Sequence, residues 1–176
     1  ILDGKLTPKA IIPVDLFGVP ARYRIIEEIA KKYDLKVIED AAQSFGAKIG
    51  NKKVGTFGNV AATSFYPAKP LGCYGDGGAI FTNNDNLAEK CKAIRIHGTT
   101  TDRYHSELIG LNGRLDSLQA AVLLEKLTIF DEERELREEV SIQYREHLKC
   151  CQYIPKNYTS SHALFSILLE SEEERN

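Results

Sequence analysis

Two short apolar runs restrict the fold more than any other part of the chain. The first, Ala10-Ile11-Ile12-Pro13-Val14, is rich in β-branched residues and suited to a buried strand, and the second, around Val37-Ile38 in Lys36-Val37-Ile38-Glu39-Asp40, reads as a further strand. Between them Pro20 opens a helical pattern in which Tyr23, Ile26, Ile29 and Ala30 recur at helical spacing, with charges between, up to Tyr33-Asp34. Strands separated by a helix cannot close as a tight hairpin. They pair in parallel through a crossover, expected to be right-handed, so the first third of the chain reads as a β-α-β unit of an α/β protein.

The remainder extends this pattern. Residues 46–58, rich in glycine and lysine, read as a hairpin or extended loop, and strands follow at 60–65 and 79–82. Asn84 is placed to cap a helix over 87–95, with Leu87, Cys91 and Ile94 on one face. Residues 98–113 are polar and include three consecutive threonines, as in a surface loop with a role other than packing. From 115 to about 149 runs a long helical pattern whose second half is crowded with Glu and Arg at ion-pair spacing. A helix of that length commonly links two domains. The boundary is expected near Thr128, giving residues 1–128 to a large domain and 129–176 to the start of a smaller one, with 162–169 as its first strand.

Composition removes several classes of function. With 176 residues, 43% hydrophobic and 27% charged, the chain can bury a core and is not disordered. Its net charge of −2 is spread along the sequence, so no basic face predicts a nucleic-acid partner. No apolar run approaches the roughly 20 residues of a membrane span and no signal-peptide pattern opens the chain, which predicts no membrane association and a cytoplasmic protein. Cys73, Cys91, Cys150 and Cys151 lack Cys-x-x-Cys spacing and read as reduced thiols. His97 and His105 have no ligand partners at metal spacing, so no metal is expected. Both ends look cut, since Met is absent throughout and 172–176 read as the first turn of a helix that never develops.

Lys69 lies between Tyr66-Pro67 and the glycine cluster Gly75-Asp76-Gly77-Gly78, on a short turned segment where a planar ligand could approach the backbone. A Schiff-base lysine needs such a position, although most loop lysines are simply solvated. Asp40 ends a strand, where ligands gather in open α/β sheets, and two small residues and Gln43 follow it. Helix capping would explain an isolated aspartate there equally well. Ser64 and the glycines could donate to a phosphate, while Asp76-Gly77 on its own is a favoured hairpin dipeptide. Asn112 precedes the long helix, where asparagine is common for capping alone.

As a set, three segments resemble the DegT/DnrJ/EryC1/StrS family of sugar aminotransferases. They are Ile38-Glu39-Asp40-Ala41-Ala42-Gln43-Ser44, the run from Ser64 to Ala79 around Lys69, and Gly110-Leu111-Asn112-Gly113-Arg114-Leu115-Asp116 with the residues after it. The resemblance covers residue 10 to about 148. It implies a three-layer α/β/α fold with a mostly parallel sheet, that of type I pyridoxal 5′-phosphate (PLP) transferases, followed by the start of a small α+β domain. It also implies PLP as cofactor, with Lys69 as Schiff-base lysine and acid/base, Asp40 on the pyridine nitrogen, Gln43 on the ring oxygen and Ser64 on the phosphate. Asn112 would reach the cofactor of a neighbouring subunit, implying a homodimer with shared active sites, and Arg114 is a further candidate for an anionic substrate. The implied reaction moves an amino group from an amino acid, glutamate in most members, to a nucleotide-linked keto-sugar. The wording around Cys73 and Asn112 points to C3 of a UDP-linked sugar used in surface polysaccharide. A non-catalytic binding or regulatory homologue is the alternative, and a dehydratase of the same fold is disfavoured because those carry His in place of Lys69.

Overall fold

The computed structural model describes residues 4–100 and 104–175. β1 (Ala10–Ile11) leads through a short 3-10 turn into α1 (Tyr23–Lys32), and β2 (Lys36–Asp40) then pairs in parallel with β1, as the pattern predicts. The helix starts three residues later than Pro20 would have it. The Ala21 N–H is bound to the Asp15 carboxylate at 2.8 Å, and Arg22, the N-cap, is not yet helical.

β3 (Lys48–Ile49) and β4 (Lys52–Lys53) form a small hairpin within 46–58. β5 (Val60–Ser64) pairs in parallel with β2, and β6 (Gly78–Phe81) pairs antiparallel with β5, so the main sheet is mostly parallel with order β1-β2-β5-β6. α2 (Asp85–Ile94) is capped by Asn84, whose side chain accepts the Leu87 N–H at 3.0 Å. α3 (Ser117–His147) is the long helix, and β7 (Tyr158–Thr159) returns to pair antiparallel with β3. The architecture is α/β, and among the described residues no helix is long and apolar enough to cross a membrane.

Packing follows the strand alternation. Val37 and Glu39 of β2 are buried, and Tyr23 of α1 stacks on Phe57 with ring centroids 4.3 Å apart. A second cluster joins Leu123 and Phe130 of α3 to Phe65, Leu71 and Cys73, with Phe45 between the Phe65 and Phe130 rings. Apolar area removed from water at roughly 25 cal/mol per Å² makes these aromatic contacts the main support of the loop that follows β5.

Two local readings differ from the structure. Residues 162–169 make no strand ladder, only one bridge from Ile167 to Cys151. The N–H groups of Ser161 and Leu164 bond to Gly18 and Phe17 instead, and His162 turns the chain with a φ of +50°. Asp76-Gly77 does not form a two-residue hairpin. β5 and β6 are joined by a loop over 65–77 whose ends are tied by Phe65 N–H to Gly77 O at 2.8 Å, because Leu71 and Cys73 are drawn into the α3 core.

Glu39 is fully buried, and its carboxylate accepts the N–H groups of Gly55 (2.6 Å) and Phe57 (2.9 Å). Burial outweighs these bonds and pushes its pKa from 4.5 up to about 6. The native state therefore holds this proton more tightly than the unfolded chain. The resulting stabilisation is complete below about pH 4.5 and is lost as pH rises through about 6. Urea unfolding of the wild type and Glu39→Gln across this range should show their stability difference changing by about 2 kcal/mol. A constant difference would mean that Glu39 ionises alike in both states.

Candidate functional site

β2 and β5 run side by side with Asp40 opposite Ala62, so Asp40 and Ser64 stand at the carboxyl ends of neighbouring parallel strands. Gln43 lies in the turn directly after β2, and Lys69 in the loop directly after β5. The topology thus brings four of the expected residues to one sheet edge, the position where open α/β sheets bind ligands. Asn112 and Arg114 are placed by a different segment: Asn112 bridges to Ile96 beyond α2, and both are exposed. No hydrogen bond or ion pair among the described residues joins them to the other four. Asn112 does not cap α3, whose N-cap is Asp116; its Oδ1 accepts from Arg114 Nε at 2.9 Å.

Each of the four has hydrogen-bonding capacity left over. Asp40 Oδ1 accepts the Ala42 N–H at 3.1 Å, capping a turn, while Oδ2 has no partner among the described residues. Gln43 Oε1 accepts the Phe17 N–H at 2.9 Å, which leaves the amide NH₂ to donate. Ser64 Oγ accepts the Tyr66 N–H at 3.2 Å, and its own O–H donates to none of the described residues. Lys69 Nζ has no hydrogen-bond or ion-pair partner among the described residues. One edge therefore offers an acidic acceptor, an amide donor, a hydroxyl donor and an amine.

The Lys69 loop is short and well supported. The Lys69 N–H closes a turn onto Tyr66 O at 2.8 Å, and the Cys73 N–H bonds Phe65 O at 2.8 Å. At Gly72 a Cβ would lie 2.5 Å from Pro67 O, so only glycine lets the loop fold back so closely. α3 braces it from outside: Lys126 Nζ donates to Gly72 O at 2.8 Å and Gln119 Oε1 accepts the Tyr74 N–H at 2.8 Å. The Cys73 thiol is buried, and its one S–H has two carbonyls within reach, Phe65 O at 2.9 Å and Gly75 O at 3.1 Å.

Sequence reasoning missed Asp15. It is fully buried, accepting from Ala21 N–H (2.8 Å) and Tyr23 Oη (2.7 Å) on Oδ1 and from Ser44 Oγ (2.7 Å) on Oδ2. Its own N–H donates to Asp40 O at 3.1 Å. Asp15 thus ties the loop after β1 to both Asp40 and the turn carrying Gln43. Burial raises its pKa against these hydrogen bonds, and the nearby Asp40 charge adds to the rise. A lone acid directly after the apolar run 10–14 was the available signal.

The family model described as DegT/DnrJ/EryC1/StrS aminotransferase family matches residues 4–176. A UDP-2-acetamido-2-deoxy-3-oxo-D-glucuronate aminotransferase from Pseudomonas aeruginosa is 49% identical over 98% of this chain and 50% of its own length. A pleiotropic regulatory protein from Geobacillus stearothermophilus is 51% identical over 77% of this chain and 36% of its own. The chain thus spans half or less of the length of these relatives. A solved DegT DnrJ EryC1 StrS aminotransferase from Brucella abortus superposes with a TM-score of 0.89 and 51% identity, over 93% of this chain and 45% of that one.

Proposed function

The chain belongs to the DegT/DnrJ/EryC1/StrS aminotransferase family, and we propose that it forms the cofactor-binding part of a PLP enzyme that aminates a nucleotide-linked keto-sugar. The observation that carries this reading is the donor set at the ends of β2 and β5. A carboxylate oxygen with no partner among the described residues, an amide NH₂, a hydroxyl and an amine match a pyridinium nitrogen, a ring oxygen, a phosphate and an aldehyde.

When bound, PLP supplies an electron sink for the pair left at the carbon that loses its proton. The chain's own residues do the rest. Lys69 Nζ attaches the cofactor and then carries a proton to and from the substrate carbon. The Asp40 carboxylate keeps the ring nitrogen protonated, the Gln43 NH₂ donates to the ring oxygen and the Ser64 hydroxyl donates to the phosphate. Asn112, which is exposed, reaches the cofactor phosphate of a second subunit in a homodimer with shared sites, and Arg114 beside it meets an anionic group of the substrate.

The finer reading takes glutamate as donor and C3 of a UDP-linked keto-sugar as acceptor, in a cytoplasmic pathway to surface polysaccharide. The 3-oxo sugar named for the Pseudomonas relative supports the ring position and the nucleotide. Glutamate-dependent amination across UDP-, dTDP- and GDP-keto-sugars tests this choice in the full-length protein. Asp40→Asn keeps the shape but gives up the charge, and turnover is expected to fall on the order of 10²- to 10³-fold while the cofactor still binds. Unchanged turnover would remove Asp40 from the ring nitrogen. The regulatory relative supports a second reading, a non-catalytic binding protein. Cofactor binding without turnover on the whole panel would favour it.

A further inference from the structure

Gln43 is held by a closed circuit of hydrogen bonds. Its side-chain Oε1 accepts the Phe17 N–H at 2.9 Å, and its main-chain oxygen accepts from Ser161 Oγ at 2.6 Å. The Ser161 N–H donates to Gly18 O at 3.0 Å. Phe17 and Gly18 are consecutive, so the circuit runs from the Gln43 side chain through the Phe17-Gly18 turn and Ser161 back to the Gln43 main chain. Ser161 stands 118 residues from Gln43 in sequence and is 1% exposed.

The parts fit closely. Gly18 has a φ of +98°, and a Cβ there would lie 2.4 Å from Ser161 Oγ and 3.0 Å from the nitrogens of His162 and Ala163. Phe17 has a φ of +61°, a left-handed conformation rare for a residue with a side chain. Such conformations persist only where the surroundings over-determine them. Here the residue in that conformation is the one whose N–H meets Gln43, and the segment carrying Ser161 packs directly on it. An amide has one accepting and one donating end, so fixing Oε1 on Phe17 also fixes the direction of the NH₂.

We propose that Ser161 is a positioning residue of the cofactor site: by locking the Gln43 peptide and the turn that holds its side chain, it sets the direction of the amide NH₂. This rests on the reading of Gln43 as the donor to the ring oxygen. The hydroxyl acts through Gln43 and does not itself touch the cofactor. Without it the Gln43 carbonyl loses its partner, and the residue is free to shift away from the aim that Phe17 gives it.

Ser160 provides a matched control. It is also buried, and its Oγ accepts the His162 N–H at 2.9 Å, with no bond to Gln43. The full-length protein loaded with PLP would be compared as wild type, Ser161→Ala, Ser160→Ala and Gln43→Ala. Three quantities are read: thermal midpoint, cofactor dissociation constant, and the midpoint of the pH titration of the bound cofactor's visible absorption. Both serine variants should lose similar thermal stability. Ser161→Ala should weaken cofactor binding about tenfold and move the titration in the same direction as Gln43→Ala, whereas Ser160→Ala should stay within about twofold of wild type. If Gln43→Ala moves the titration and Ser161→Ala behaves like Ser160→Ala, the positioning role is overturned while the Gln43 reading stands. If Gln43→Ala moves nothing, the Gln43 reading fails and takes this proposal with it.

Discussion

Replacing Lys69 with alanine should abolish covalent retention of the cofactor and lower turnover on the order of 10³-fold or more. The two losses have one cause, because the same amine attaches the cofactor and moves the proton. The geometry also makes this variant a clean one. The Lys69 side chain bonds no described residue, while its loop is held by main-chain bonds, by Gly72 and by the braces from Gln119 and Lys126. Truncating the side chain should therefore leave the loop folded, and stability should change by no more than about 0.5 kcal/mol. Borohydride reduction followed by peptide mass analysis gives the direct reading. The wild type should carry the cofactor on the peptide containing Lys69, and Lys69→Ala should carry none. An adduct that persists in Lys69→Ala would place the attachment on another residue and remove the basis of the mechanism.

The parts of the fold legible in the sequence are those whose cause is local. β2 falls at residues 36–40, where Val37 and Ile38 follow directly on the end of the helical pattern, and Asn84 caps α2 through a bond three residues away. The placement of Asp40, Gln43, Ser64 and Lys69 at one sheet edge follows from the parallel pairing that the β-α-β pattern already requires. What stayed hidden depends on partners far along the chain. Asp15 draws its donors from residues 21, 23 and 44, and Ser161 meets Gln43 across 118 positions, so neither leaves a periodic trace. Residues 162–169 fail for the same reason. Their composition favours a strand, but the preceding backbone is committed to Phe17 and Gly18. At Asp76-Gly77 a local turn preference yields to the burial of Leu71 and Cys73, each at most 2% exposed, because several kcal/mol of apolar burial outweighs a dipeptide preference.

The largest stability effect is expected at Asp15. Alanine there leaves the Tyr23 hydroxyl, the Ser44 hydroxyl and the Ala21 N–H without their shared acceptor, in a site where Asp15, Tyr23 and Ser44 are each at most 1% exposed. An orphaned buried donor costs about 1–3 kcal/mol, so three together cost roughly 3–9 kcal/mol, set against a total of about 5–15 kcal/mol for a typical domain. Asp15→Ala should therefore unfold cooperatively only well below the wild-type urea midpoint, or not fold at all. Asp15→Asn is the measurable counterpart. Its Oδ1 can still accept from Ala21 and Tyr23, and its NH₂ can donate to a reoriented Ser44 hydroxyl, so its cost should be about 1–2 kcal/mol. A double-mutant cycle identifies the source. Ser44→Ala should cost about 2 kcal/mol in the wild type, where it removes a bond to the carboxylate, and about 1 kcal/mol in Asp15→Asn, where only a bond to a neutral amide is lost. Equal costs in both backgrounds would mean that some contact other than the Asp15 carboxylate holds the turn beside Gln43.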